Sequence, residues 1–305
     1  MSLVGDSYEY FDRRFRSLTV PTVNVKKLFE DCLWAEGPVW FADGNCLVWS
    51  DVPNNRLLRW TEEHGVGTFR ADSGFTNGNT RDRLGRLVSC EHGGRRVSRT
   101  EPDGRIIVVA DKHEGKKLNS PNDVVVKTDG SIWFTDPEYR IMSDYEGFKA
   151  DGEQGGCFVY RVDPSSGKVE VVADDFVKPN GLAFSPDEEI LCVADSGLSH
   201  DPKGPHHIRA FDVSGGKTLK KGRVFAEIEH GVPDGFRLDV DGNVWTSTQT
   251  GVECWSKEGT LLGRIKIPEM VANLTFGGSR RNRLFITATT SLYSVFVGTT
   301  GAQTP

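Results

Sequence analysis

One hairpin pattern recurs six times along the chain, and this repeat constrains the fold more than any other feature. Each unit opens with a polar residue, runs as an alternating apolar strand, turns and returns as an apolar or aromatic strand. In the unit NDVVVKTDGSIWFTD, which begins at Asn122, Asp129-Gly130 supplies the positive φ of a tight turn. The six units open at Glu36, Asn77, Asn122, Asn180, Asp234 and Asn273.

The spacing of the repeats predicts the architecture. Consecutive openings lie 41, 45, 58, 54 and 39 residues apart, close to the length of a four-stranded propeller blade. We therefore predict an all-β fold, a six-bladed β-propeller that leaves no exposed sheet edge. Since the sixth unit is short, an N-terminal strand within residues 23–29 should complete the last blade. The predicted parts are an N-terminal extension (1–22), one propeller domain (23–300) and a tail (301–305).

Composition excludes several classes of protein. The formal net charge is -6, so the chain has no basic field for nucleic acid. No apolar run reaches the roughly 18 residues of a membrane span, and the N-terminus lacks the apolar region of a secretory signal. We expect a cytoplasmic protein. Its six cysteines form no CxxC pair and are predicted to be reduced core thiols.

The opening residues predict a metal site. In a propeller the first strand of each blade lines the central channel, so these six side chains should form a ring at one end of it. All six carry a side-chain oxygen, which suits Ca²⁺ best and also Mg²⁺ or Mn²⁺. A structural zinc site is disfavoured because the predicted ring offers no thiol and at most one imidazole, although Zn²⁺ as the bound ion stays open. The simpler alternative is that Asn and Asp only cap turns.

Other residues should gather at the same end of the channel. A hairpin of two strands returns the chain to its starting face, which places the residues 14 or 15 positions after each opening beside the ring. These residues are Asp51, His92, Asp136, Asp195, Thr248 and Ala288. Two insertions, 138–155 and 197–207, should form a lid, unless they are only solvated loops. The lid candidates are Tyr139, Tyr145, Phe148, His200, His206 and His207.

Four motifs resemble those of the SMP-30/gluconolactonase/luciferin-regenerating-enzyme family, and bacterial gluconolactonases in particular. They are EGPVW at Glu36, PND at Asn122, KPNGLAFSPD at Asn180 and PDGFRLDVDGNVW at Asp234. The resemblance implies a six-bladed propeller with a divalent metal, usually Ca²⁺, at the channel mouth. It implies Glu36, Asn180 and Asp234 as metal ligands, Asn122 as a further ligand or substrate contact, and Asp234 as proton acceptor. Animal members carry arginine where this chain has Ser120, so their substrate contacts do not transfer.

The first functional hypothesis is metal-dependent hydrolysis of a sugar lactone, with glucono-1,5-lactone as the expected substrate. Asp234 is the expected base for the attacking water, and His92 is the competing candidate. The chain has no GxSxG nucleophile elbow. The alternatives are a related hydrolase of other lactones or phosphotriesters, and a non-catalytic calcium-binding or interaction propeller. The expected substrate contacts are Asn77, Asn122, Asp136 and Tyr139.

Overall fold

The protein is a six-bladed β-propeller, as the repeat predicts. The computed structural model describes residues 7–303, so the predicted extension and tail fall partly outside the described residues, at 1–6 and 304–305. Six small antiparallel sheets are arranged in a ring. The inner strand of each blade contacts the inner strand of the next, and the sixth contacts the first. The described residues contain no helix that is long and apolar enough to cross a membrane.

The strands are numbered in chain order. Strand β1 (Tyr8–Tyr10), helix α1 (Phe15–Leu18) and β2 (Lys26–Glu30) precede the first complete blade. Blades 1 and 2 contain β3 (Ala35–Phe41), β4 (Cys46–Asp51), β5 (Arg56–Thr61) and β6 (Gly65–Ala71), then β7 (Thr76–Arg81), β8 (Leu87–Glu91), β9 (Arg96–Thr100) and β10 (Ile106–Ala110). A hairpin of β11 (Lys112–His113) and β12 (Lys116–Lys117) leads to blade 3, which contains β13 (Val124–Val126), β14 (Ile132–Asp136), β15 (Cys157–Val162) and β16 (Val169–Phe176).

The second half repeats the pattern. Blade 4 contains β17 (Pro179–Phe184), β18 (Ile190–Asp195), β19 (His207–Ser214) and β20 (Thr218–Glu227). Blade 5 contains β21 (Phe236–Leu238), β22 (Val244–Thr248), β23 (Gly251–Trp255) and β24 (Leu261–Lys266). Blade 6 contains β25 (Val271–Gly277), β26 (Arg283–Ala288) and β27 (Ser291–Phe296). Single 3₁₀ turns occur at Tyr139–Ile141 and Gly197–Ser199.

The N-terminal strand closes the ring, as predicted. Strand β2 pairs antiparallel with β27, with Lys26 opposite Ser294 and Lys27 opposite Tyr293, and becomes the fourth strand of blade 6. Phe29 also packs edge-on against Trp49 of blade 1, with 6.0 Å between ring centroids. The chain therefore joins its first strand to its last blade by both hydrogen bonds and apolar contact.

Blade 5 differs from the expected four strands. Strand β1 pairs with β24 and makes this blade five-stranded, which covers an edge that would otherwise carry unpaired backbone groups. Phe15 of α1 is fully buried beside Trp245, with ring centroids 5.9 Å apart. Part of the predicted N-terminal extension is therefore packed on the propeller.

The described residues form six apolar clusters, and each cluster joins two neighbouring blades. Trp40, Trp49 and Trp60 of blade 1 pack with Phe285 of blade 6, for example. Burying such side chains removes apolar surface from water, which stabilises each blade against its neighbour. All six cysteines are free thiols, as predicted, and five of them are buried.

Glycines at the start of the inner strands let neighbouring blades approach closely. Glu36, Asn77, Asn180 and Asp234 are each followed by glycine. A Cβ at Gly181 would lie 2.2 Å from the Asp234 carbonyl oxygen, far inside van der Waals contact. Equivalent contacts exist at Gly37 with the Asn77 carbonyl, at Gly78 with the Asn122 carbonyl and at Gly235 with the Asn273 side chain. These positions require glycine because atoms of the next blade fill the space that a side chain would occupy.

We predict that Gly181→Ala destabilises the propeller by about 1–3 kcal/mol, because the added methyl group must push blades 4 and 5 apart. The matched control is Gly67→Ala on β6, where a Cβ would meet no atom within 4 Å. Thermal or denaturant unfolding of both variants measures the difference. Equal stability of the two variants would contradict the proposed close packing.

Candidate functional site at the channel mouth

Side chains from all six blades meet at one end of the channel. Asn77 Nδ2 donates to the Asn122 carbonyl at 3.1 Å, and Asn273 Nδ2 donates to Glu36 Oε2 at 3.1 Å. The side chains of Asn180 and Asp234 also hydrogen-bond to each other. The six opening positions therefore form a ring, with Asp234 partly exposed and the other five residues buried.

Two carboxylates interact electrostatically within this ring. Burial raises the pKa of Glu36 to about 7, although hydrogen bonds from the Gly37 N–H and Asn273 oppose the shift. Burial and then the charge of Glu36 raise the pKa of Asp234 well above its ordinary value. Two neighbouring acids in a poorly solvated site repel each other unless a cation or protons neutralise them.

The donor set fits a hard cation. Asn180 Oδ1 and Asn77 Oδ1 are buried and have no hydrogen-bond partner among the described residues. A buried carbonyl oxygen without a donor is costly, and Ca²⁺ prefers amide and carboxylate oxygens. No group of three or more His, Cys, Asp or Glu residues in the described chain could hold a metal by itself. Glu36 and Asp234 would therefore need the amide oxygen of Asn180 to complete a protein ligand set.

The local backbone of the ring is fixed by hydroxyl groups. Ser50 Oγ donates to the Asn77 carbonyl at 2.8 Å, and Thr135 Oγ1 donates to the Asn180 carbonyl at 2.7 Å. Each of these bonds runs from the second strand of one blade to the opening residue of the next. Ser247 Oγ in turn accepts from the Asp234 N–H at 3.0 Å. These three bonds fix the backbone of the ring without using the oxygens of its side chains.

The predicted return-strand acids serve a different purpose. Strand pairing sets Asp51 opposite Ala35 and Asp195 opposite Pro179, one residue before the opening positions. Asp136 is fully buried and accepts from the Asn119 N–H at 2.8 Å. Asp51 binds the Leu33 N–H and Asp195 binds the N–H groups of Val177 and Lys178 in the same way. These acids anchor the chain that leads into each inner strand.

Asp136 therefore has a structural role, because it accepts a backbone hydrogen bond from Asn119. Burial raises its pKa to about 7, while hydrogen bonds from the Asn119 and Ser120 backbone oppose this shift. Its assignment as a substrate contact stays a prediction.

His92 lies beside the first insertion, close to Gly147 and Arg140. Its side chain is buried, and neither ring nitrogen makes a well-formed hydrogen bond to another described residue. Burial lowers its pKa well below the ordinary value, and the charge of Arg140 lowers it further. The imidazole is therefore neutral at physiological pH. It can accept a proton only weakly, which favours Asp234 over His92 as the base.

The two insertions meet at Tyr139 and His200, whose ring centroids lie 5.2 Å apart. Burial raises the pKa of Tyr139, and the charge of Asp234 raises it further, so this hydroxyl stays protonated close to the mouth. Phe148 packs edge-on against Phe75 at 5.5 Å. These contacts attach the first insertion to the second and to blade 2.

The remaining lid candidates lie apart from this contact. Tyr145 is largely exposed. His206 Nδ1 lies 2.7 Å from the Ile228 carbonyl, and His207 is part of strand β19.

The structure adds Arg140, which the sequence analysis missed. Its positive charge lowers the pKa of Glu36, Asp234 and His92, so its guanidinium lies near all three. It forms an ion pair with Glu146. The backbone N–H of Arg140 donates to Ser120 Oγ at 3.2 Å.

The contact between Ser120 and Arg140 corresponds to a feature that is visible in the sequence. Ser120 stands where the resemblance places an arginine, and it fixes the start of a loop that supplies one. The segment DPEYR, residues 136–140, carries this arginine directly after Tyr139.

Comparisons with known proteins find lactonases that match this chain over most of its length. A gluconolactonase of Zymomonas mobilis subsp. mobilis is 30% identical, and the match covers 98% of this chain and 88% of that protein. A pentonolactonase of Haloferax volcanii is 27% identical over 84% of this chain and 81% of its own length. The solved structure of a Xanthomonas campestris gluconolactonase is 37% identical, with a TM-score of 0.90, and covers 96% of this chain and 95% of that one.

A family model also matches most of the propeller. It spans residues 34–290, from just before Glu36 to the residue before β27. The matched region includes all six opening residues and both insertions. The chain therefore belongs to the SMP-30/gluconolactonase/LRE-like family.

Proposed function

We propose that this protein is a metal-dependent lactonase that hydrolyses sugar lactones, with glucono-1,5-lactone as its expected substrate. The observation that carries the proposal is the meeting of Glu36, Asp234 and the unpartnered Asn180 oxygen at one channel mouth. The names of the relatives support the reaction class, since they act on gluconolactone and pentonolactone. The lactones in these two names derive from different sugars, so the choice of glucono-1,5-lactone is a separate part of the proposal.

Glu36, Asn180 and Asp234 would hold the cation, with Asn122 as a further ligand or substrate contact. When bound, a divalent cation such as Ca²⁺ would polarise the lactone carbonyl as a Lewis acid. Asp234 is the partly exposed acid of the ring and is the proposed acceptor for the proton of the attacking water. Breaking the ring C–O bond then leaves an alkoxide. Asp234 passes the proton to this alkoxide, which gives the hydroxy acid.

Arg140 is the proposed partner for the charge that develops on the carbonyl oxygen. Its Nε is buried without a hydrogen-bond partner among the described residues, while its ion pair with Glu146 orients the guanidinium. A preorganised donor in a site that excludes water stabilises an oxyanion more strongly than the neutral carbonyl. The Tyr139 hydroxyl, also buried without a well-formed hydrogen bond, is the proposed contact to a sugar hydroxyl.

Removal of divalent ions should abolish lactone hydrolysis, and addition of Ca²⁺ should restore it. Glu36→Gln should weaken Ca²⁺ binding by about tenfold or more, because the site loses one of two charged ligands. Calorimetric titration of Ca²⁺ and acid release from glucono-1,5-lactone measure the two effects. The exposed Glu258→Gln variant is the control. A chain that binds Ca²⁺ but hydrolyses no lactone would favour the alternative of a calcium-binding propeller.

Asp234→Asn should lower kcat by about 10²-fold or more, since general base catalysis contributes that much. The rate is measured at Ca²⁺ concentrations that saturate the variant, which separates loss of the base from loss of the metal. Asp241→Asn, an exposed residue at the turn of the same blade, should behave as wild type. If His92→Asn loses more activity than Asp234→Asn, the assignment of the base is wrong.

Arg140→Met should reduce kcat by about 10–100-fold with a smaller change in KM, because a charge-assisted hydrogen bond made mainly in the transition state is lost. Arg140→Lys should recover part of kcat. The exposed Arg105→Met variant controls for loss of one positive charge. A rise in KM with unchanged kcat would instead assign Arg140 to substrate binding alone.

A further inference from the structure

The opposite end of the channel contains a cavity of about 130 Å³. Asn77 opens strand β7 at the mouth, whereas Arg81 ends this strand and lines the cavity. Four steps along a strand separate the two ends by roughly 13 Å. Inner strands of all six blades contribute to the wall, and the segment Gly301–Gln303 lies across it.

This cavity is rich in arginine, in contrast to the acidic mouth. Its charged lining residues are Arg81, Arg83, Arg237, Arg281 and Glu188. Glu188 is already engaged, since it pairs with Arg83 at 3.1 Å and with Lys127 at 3.0 Å. Arg237 lies 3.5 Å from Asp123, in the channel between the two ends. Among the described residues that line the cavity, four arginines therefore stand against one acid.

Arg81 has buried hydrogen-bond donors that could bind a ligand. Its side chain is only 11% exposed, yet its Nε and Nη1 are buried and have no hydrogen-bond partner among the described residues. The carboxylate of Asp43 lies 3.9 Å away, beyond hydrogen-bond distance, and is itself 78% exposed. A guanidinium shielded from water gains most from an anion that accepts its N–H groups.

The rest of the wall limits the chemistry of that anion. Trp40, Phe184 and Phe276 line the cavity beside the arginines. The buried Trp40 Nε1 is a second donor without a partner among the described residues. A cavity of this volume accommodates a body about as large as benzene. A doubly charged, strongly hydrated anion such as phosphate would leave its oxygens short of donors beside these apolar walls.

We propose that this cavity is a second ligand site, separate from the lactone site, for a small monocarboxylate with a compact apolar body. Its carboxylate would accept from Arg81, and the apolar part would pack beside Trp40 and Phe276. The segment Gly301–Gln303 forms one side of the site. It is held by Arg281 Nη1, which donates to the Gln303 carbonyl at 2.8 Å, and by Gln303 Nε2, which donates to Thr80 at 3.1 Å.

Calorimetric titration with benzoate tests this proposal, with benzyl alcohol as the neutral match in size and inorganic phosphate as the competing anion. We expect benzoate to bind with a dissociation constant in the low millimolar range or tighter, and more weakly as salt is raised. Benzyl alcohol and phosphate should bind much more weakly. Arg81→Gln should weaken benzoate binding about tenfold or more, and Arg105→Gln should leave it unchanged.

Ala302→Leu provides an independent variant, since it fills the cavity and keeps every charge. It should block benzoate binding while lactone hydrolysis at the other end continues. Thermal unfolding confirms that each variant is folded. Equal binding of benzoate and benzyl alcohol, unchanged binding by folded Arg81→Gln, or no binding to the wild type at about 20 mM benzoate would overturn the proposal. Tighter binding of phosphate than of benzoate would overturn the assignment to a monocarboxylate.

Discussion

Close backbone contact between neighbouring inner strands is the constraint on which this molecule depends. At four of the six opening positions, the following glycine leaves room for part of the next blade, at distances no Cβ could tolerate. The contact sets how near the opening side chains stand to one another. The metal ligands proposed above come from blades 1, 4 and 5, so their convergence results from this packing and from no local motif.

The same architecture separates two kinds of charge. Acidic and amide oxygens collect where the inner strands begin, and arginines collect where they end. The Asp123–Arg237 pair lies between them. Because every inner strand runs in the same direction along the channel, one residue type placed early in each repeat makes one ring. Arginines placed late in the repeats form a basic environment at the other end of the channel.

Much of the fold could be predicted from sequence, because hairpin spacing and period-two apolarity report strand pairing directly. The candidate site was harder to predict from the sequence. The inner strands of blades 1, 2, 4 and 6 carry irregularities in register beside their opening residues. A bulge changes which side chains share a face, so counting along the chain does not fix how Asp51 and Asp195 sit against the opening residues of blades 1 and 4. Arg140 depends on the path of an insertion fixed by Ser120 and Glu146, and no periodicity encodes that path.

Pairing of β2 with β27 has a consequence for biogenesis. Lys26 leaves the ribosome well before its partner Ser294, because almost the whole propeller lies between them in the chain. At typical rates of synthesis, β2 waits on the order of tens of seconds for its partner. Until blade 6 is made, the apolar face of blade 1 and the unpaired strand β2 stay exposed, and such surfaces are the ones that chaperones bind.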